Sequence, residues 1–221
     1  MNAGARRRRT SSGGGVLRPV AETHQVGAPA WWPVEPYPAG RFVALDGGLT
    51  PGMIGSFVAD RAARAVLLVG EDRSGLSADD ALDFVFGDRD EDLYVFGGLC
   101  VEDPAQGIRI DPGCCCDLNS WRDWTGAGAG GSLDLGHDPE TWAEAHGDRL
   151  VVYSDSELAG HPVETVAIAL ADLPERLREV QRDLTAFLAA AAAWAEATVP
   201  HRAAELMAEL DHSLRITAPL P

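Results

Sequence analysis

Apolar residues start to recur at regular spacing only from Arg41 onward. Phe42-Val43-Ala44-Leu45 followed by Asp46-Gly47-Gly48 predicts a short strand and a turn. Ile54, Phe57, Val58 and Ala62 predict a helix over Met53 to Arg64, and the unbroken run Ala65-Val66-Leu67-Leu68-Val69-Gly70 predicts a buried strand after it. Ser77 is placed to cap a helix carrying Ala81, Leu82, Val85 and Phe86, with Asp79 and Asp80 in the first turn, where the helix dipole favours negative charge. Leu93 to Val101 predicts a further strand, and Gly107-Ile108-Arg109-Ile110 alternates as an edge strand does.

The second half of the chain has longer patterns. After Leu133-Asp134-Leu135-Gly136-His137, Asp138 reads as a cap, Pro139 as a first helical residue and Gly147 as a terminator, which predicts a short helix through Trp142. Leu150 to Tyr153 and Val163 to Leu170 predict strands. Asp172-Leu173-Pro174-Glu175 resembles a capping box opening a helix that runs to about Thr198, with Leu177, Val180, Leu184, Leu188, Ala191 and Trp194 in one stripe. Pro200 restarts a last helix with Leu206, Leu210 and Leu214. Strands come mostly first and a helical pair last, so the expected class is α+β: a mostly antiparallel sheet packed against helices, with a long C-terminal helical pair.

Residues 1–30 are rich in Arg, Ser, Gly and Pro and lack a hydrophobic period, which predicts a disordered N-terminal tail; residues 31–221 are expected to form a single α+β domain. Trp31-Trp32-Pro33-Val34-Glu35-Pro36-Tyr37-Pro38 combines prolines that extend the backbone with aromatics that favour burial, and predicts a strap lying across the domain.

Composition narrows the chemistry. All 18 basic residues are arginine, so Schiff-base, Walker-type and general-base lysine chemistry is excluded. The absence of lysine, together with abundant Ala, Gly and Asp, resembles proteins of high-GC bacteria, actinobacteria above all. Net charge is −16, and removing the Arg6 to Arg9 run leaves about −20, a body that repels nucleic acid and anionic membrane and attracts a basic protein. No stretch reaches the length of a membrane span, and the basic start leads into Thr10-Ser11-Ser12-Gly13 rather than an apolar signal core. A cytoplasmic location with four reduced cysteines is the expectation.

The densest chemistry lies in Asp111-Pro112-Gly113-Cys114-Cys115-Cys116-Asp117, followed by Leu118-Asn119-Ser120-Trp121-Arg122-Asp123-Trp124. The thiols sit near a predicted helix start, whose dipole favours a thiolate. No histidine is adjacent in sequence; His137 or His146 would have to arrive through folding. Zinc sites usually space cysteines two to four apart, so a metal set here would have to be assembled across a sheet, from Cys100, Cys114, Cys116 and His137. Trp121, Arg122 and Trp124 beside the glycine-rich Gly126 to Ser132 would form a recognition corner if exposed, and would be core if buried. The glycine run contains G-x-G-x-x-G without the strand before and helix after that dinucleotide binding needs, and reads as a flexible loop. Asp88, Asp90 and Asp92 alternate as in a calcium loop but lack its glycine and closing glutamate. His201, Glu205, Glu209 and His212 share a helix face that reads as solvated rather than metal-binding.

Cys115-Cys116-Asp117-Leu118, Trp121-Arg122-Asp123-Trp124 and Leu135-Gly136-His137-Asp138-Pro139 together resemble a block in uncharacterised actinobacterial proteins, over about residues 107 to 155. That resemblance implies no activity. The leading reading is a non-enzymatic, acidic protein-interaction protein, with immunity proteins as the analogy that charge and class offer, that meets a basic protein through Trp121, Arg122, Trp124, His137 and Asp138, with no catalytic residue and no cofactor. The alternative is a thiol- or zinc-dependent enzyme centred on Cys114 to Cys116. A monomer is expected; a homodimer through the C-terminal helices would require the Leu177 to Leu214 stripe to lie open rather than over its own sheet.

Overall fold

A computed structural model describes residues 9–10, 14–23, 31–37, 41–68, 75–86, 95–155 and 163–221 of the chain. Along it lie β1 (Arg9–Thr10), β2 (Val16–Glu22), β3 (Phe42–Ala44), α1 (Pro51–Leu68), α2 (Ala78–Phe86), β4 (Gly97–Asp103) and β5 (Ile108–Ile110). A 3-10 helix (Leu118–Ala129) follows, then β6 (Ser132–Asp134), β7 (Glu140–His146), β8 (Arg149–Asp155), β9 (Glu164–Ala169), α3 (Leu173–Thr198) and α4 (Ala203–Leu214). The class is α+β, with two mostly antiparallel sheets and a C-terminal helical pair. The chain divides into two compact units: residues 1–20, 96–180 and 220–221 in one, residues 21–95 and 181–219 in the other.

The first unit is built on strands. β6, β7, β8 and β9 form an antiparallel meander, and β1 adds in parallel beside β9. β2, β4 and β5 lie side by side in that order, with β5 at the edge as its alternation predicts. β4 and β5 pack over β8 and β9. Leu99, Val101, Ile108 and Ile110 from one layer and Ala143, Leu150, Val152, Val166 and Ile168 from the other are all buried. β5 and β7 alternate buried with more exposed residues, as strands with one inner face do, whereas β4 and β9 are buried along most of their length.

The second unit is helical. Ile54, Phe57, Val58, Ala62 and Val66 of α1 are buried with Ala81, Leu82 and Val85 of α2 and Leu206, Leu210 and Leu214 of α4. Phe57 meets Phe187 edge-on at 5.2 Å, an arrangement favoured by the ring quadrupole. Ser77 Oγ accepts from Asp80 N at 3.1 Å while Asp80 Oδ2 accepts from Ser77 N at 2.9 Å, the reciprocal cap expected at the start of α2. The Ser77 hydroxyl, donating to Asp80 Oδ2 at 2.7 Å, and then the Ser77 N–H hold the Asp80 carboxyl below its usual range. Arg61 is buried and donates to Glu209 at 3.0 Å and Ser213 at 2.7 Å, which pairs a charge that would otherwise be costly there. The aromatic strap is present: Trp32 Nε1 donates to Gly55 O at 2.8 Å, and its ring meets Trp194 edge-on at 5.6 Å. A Cβ on Gly55 would overlap Pro33 O, so glycine is what admits the strap.

Several expectations are corrected. Val16–Glu22 is a strand rather than part of a disordered tail, because Leu17, Val20 and Ala21 are buried in it. Residues 1–8, 11–13 and 24–30, and with them Arg6 to Arg8, lie outside the described residues, as do Asp88, Asp90 and Asp92. Ala65 to Leu68 continue α1 instead of forming a strand: Ile54, Val58, Arg61, Ala62, Ala65 and Val66 keep helical spacing, and a short apolar run does not distinguish the two. Val69 and Gly70 are outside the described residues. Glu140–His146 is a strand, not a helix, since Thr141 and Ala143 alternate inward; Gly147, at φ 62°, ends it in a tight turn into β8. Of the glycine run after Thr125, Gly126 to Ala129 form the end of the 3-10 helix, and Gly130 and Gly131 connect it to β6.

The stripe of α3 differs from expectation at one position. Phe187 is buried where Leu188 is only half-buried, giving buried positions 177, 180, 184, 187, 191 and 194 at alternating spacings of three and four. With Leu206, Leu210 and Leu214 also buried, this stripe is covered within the chain. Replacing Phe187 by Ala should therefore cost about 3–5 kcal/mol of unfolding free energy in urea titrations. Leu188→Ala should cost less than half as much; equal losses would place the stripe on the sequence-predicted register.

Candidate functional site

Two loops of the first unit meet at the cysteine block. Gly113 N donates to Leu135 O at 2.8 Å, His137 N donates to Cys114 O at 3.1 Å, and Cys114 N donates back to His137 O. This short bridge lies between otherwise separate connections, β5 to the 3-10 helix and β6 to β7. Its closeness depends on two glycines. A Cβ on Gly113 would come within 2.5 Å of His137 N, and one on Gly136 within 2.6 Å of Cys114 O. Gly136 also has φ 96°, a conformation that a side chain resists.

The locked corner gathers Cys114, Cys115 and His137, whose sulfur and ring-nitrogen atoms lie within 4.8 Å of one another. Cys114 Sγ and Cys115 Sγ are 3.6 Å apart. Neighbouring side chains in an extended strand point to opposite sides, but Cys115 has φ 63°, which departs from that alternation. Cys115 is exposed, Cys114 is half-buried, and His137 is 61% exposed with Nδ1 3.3 Å from Asp138 Oδ2.

Cys100 and Cys116 are not in this group. Cys100 is buried in β4, where desolvation and then the Asp111 carboxylate push its thiol well above its ordinary pKa; Arg109 opposes this. Cys116 Sγ lies where a Cβ on Gly98 would be 3.0 Å away, and burial pushes its thiol up to about 11. The structure thus brings together two of the four residues considered as a zinc set, Cys114 and His137, and adds Cys115 to them.

The tryptophan corner is not open to solvent. Trp121, Arg122 and Trp124 are 1%, 7% and 3% exposed, and Arg122 stacks 4.7 Å from the Trp121 ring. Leu118, Trp121, Trp124 and Ala127 recur every third residue and are all buried. That is the period of a 3-10 helix, and it is the signal that identifies this element. Asp117 Oδ1 caps the helix by accepting from Asn119 N at 2.9 Å.

A different surface, which the sequence reading missed, carries aromatic groups outward. On the face of the meander opposite the core, Trp142 of β7 stacks on Tyr153 of β8, with ring centroids 4.9 Å apart and planes 9° from parallel. His146 meets Tyr153 edge-on, its Nε2 3.1 Å from the phenol oxygen and 3.3 Å from Glu144 Oε2. Residues directly opposite in a ladder share a face, so Asp134, opposite Trp142, and Glu140 and Asp155, opposite each other, surround the stack. Both rings are half-buried, whereas Thr165 and Ala167 on β9 are buried, which confines the accessible face to β6 to β8. The alternation of β7 is the signal that would have found it, had the segment been read as a strand.

Other candidates resolve into ordinary contacts. His201 pairs with Asp79 at 2.7 Å, Glu205 with Arg202 at 2.8 Å and Glu209 with Arg61, so three of the four residues of the helical His/Glu set have separate partners. A groove of about 300 Å³ lies between the end of the 3-10 helix and the start of α3, lined by Thr125, Leu170, Leu173, Leu177 and Arg178, with Leu220 also against it. No helix among the described residues is long and apolar enough to cross a membrane. No family model, no curated protein and no solved structure matches the chain.

Gly136→Ala should destabilise the fold by about 1–3 kcal/mol from its backbone conformation alone and should speed alkylation of Cys114 as the corner opens. Gly126→Ala meets no atom within 4 Å and serves as control, with a loss under about 0.5 kcal/mol in the same thermal melts. Equal behaviour of the two variants would contradict the two-loop lock.

Proposed function

We propose that this protein acts as a binding protein, docking a cationic protein segment on the β6 to β8 face around Trp142 and Tyr153. The observation that carries this reading is the stacked pair surrounded by Asp134, Glu140, Glu144 and Asp155 on one face of the sheet. An arginine side chain gains from both parts of such a surface: its guanidinium lies flat on an aromatic face and its donors reach carboxylates. The net charge of −16 adds long-range attraction for a basic partner. Val34 is the large apolar side chain that stands exposed among the described residues, so charge and the aromatic stack, rather than an apolar patch, supply recognition.

Burial of Trp121, Arg122 and Trp124 moves the reading away from those residues and onto the sheet face. His137 and Asp138, 61% and 75% exposed, lie in the turn that precedes β7. An immunity-type role, in which an acidic protein covers a basic toxin, is the form of this reading that the charge favours; it rests on charge class alone.

The test is fluorescence anisotropy of a labelled arginine-rich peptide titrated with the full chain. Binding should weaken roughly tenfold as salt is raised from low to physiological concentration, since exposed charges are screened beyond about 10 Å. Trp142→Ala should lose about tenfold in affinity, a typical cost for an aromatic anchor, and Glu144→Gln should lose less. Unchanged binding in both variants, or no binding at low salt, would reject this surface.

A further inference from the structure

We infer that Cys114, Cys115 and His137 form a site for a borderline-soft divalent cation, zinc being the fitting case. The inference is independent of the docking surface, since it rests on the two-loop corner and not on the sheet face. Three observations carry it. The first is spacing: in a tetrahedral site with Zn–S bonds near 2.3 Å, two sulfurs stand about 3.8 Å apart. Cys114 Sγ and Cys115 Sγ are 3.6 Å apart, and the His137 ring nitrogen lies within 4.8 Å of both sulfurs. Little rearrangement is needed to close three ligands on one ion.

The second is rigidity. The ligand-bearing residues Cys114 and His137 are tied to each other by paired backbone hydrogen bonds, and Gly113 and Gly136 let the two loops approach closely enough for those bonds to form. The positive φ of Cys115 keeps its thiol beside that of Cys114, a conformation that costs on the order of 1–3 kcal/mol for a residue with a side chain. Adjacent cysteines are unusual zinc ligands because an extended backbone separates them; this turn removes that obstacle.

The third is chemistry. Two thiolates and an imidazole suit zinc and exclude magnesium or calcium, which take oxygen ligands. Asp138 Oδ2 lies 3.3 Å from His137 Nδ1, and a carboxylate beside an imidazole raises its basicity as a ligand. Three protein ligands leave a fourth position for water or a partner's side chain, the arrangement of an open rather than a closed zinc site.

The experiment uses the full-length chain, reduced and handled without oxygen. Zinc is titrated against a chromophoric chelator, and cobalt(II) serves as a separate spectroscopic probe. The expected result is one zinc per chain and intense visible cobalt absorption of a tetrahedral site with thiolate charge-transfer bands. Cys115→Ser and His137→Asn should each weaken zinc binding at least tenfold, in the range that ligand-shell changes produce. Cys116→Ser, outside the cluster, should leave binding within about twofold of the parent. Circular dichroism melts show which variants remain folded; Cys115 and His137 are exposed, so their variants should fold. Sub-stoichiometric zinc in the parent chain would overturn the site. Equal loss in Cys116→Ser, or octahedral cobalt spectra, would overturn the assigned ligands.

Discussion

Two backbones in the first unit approach each other more closely than side chains would permit. Gly113 and Gly136 make that contact, and the hydrogen bonds between Cys114 and His137 hold it. Much follows from this small constraint. It ties the β6 to β7 connection to the loop that leads into the 3-10 helix. It also decides which thiols meet the imidazole: Cys114 and Cys115 gather with His137, while Cys116 remains outside the group. Downstream of the same connection, β7 sends Thr141 and Ala143 inward and Glu140, Trp142 and Glu144 to the opposite face.

The second unit, taken by itself, solves a different problem. It packs helices rich in alanine, whose small side chains let backbones come close but contribute little buried area per residue. Larger groups fill the spaces. Phe57 and Phe187 meet edge-on, Trp32 fits over Gly55 against Trp194, and the buried Arg61 donates through Nη2 to Glu209 and Ser213. Removing Glu209 would leave a desolvated guanidinium in this packing, which is costlier than never having had the pair.

Patterns with a single physical interpretation were legible from sequence. The capped start of α2, the long α3, the terminal α4 and the edge position of β5 all appear where capping and periodicity placed them. Segments that satisfy two patterns at once were not. Asp138-Pro139 before Trp142 imitates a helix start, yet the alternation of Thr141 and Ala143 with polar neighbours governs, because those residues complete a sheet. Ala65 to Leu68 is apolar enough for a strand but continues a helical face. A helix was expected after the cysteines, but its 3-10 type was not, because twelve residues is long for that geometry, although the three-residue spacing of Leu118, Trp121, Trp124 and Ala127 announces it. Within the candidate site, the cysteine block and His137 were visible as chemistry. Their grouping depends on a contact between distant loops, which local pattern does not encode.

The proposal that cations dock on the outer sheet face meets its sharpest test in the indole N–H signals of the six tryptophans, followed by NMR as an arginine-rich peptide is added. The Trp142 signal should shift with saturation while those of Trp121 and Trp124, both buried, stay in place. A Trp142 signal that remains fixed through saturation, with shifts confined to other tryptophans, would contradict the assignment.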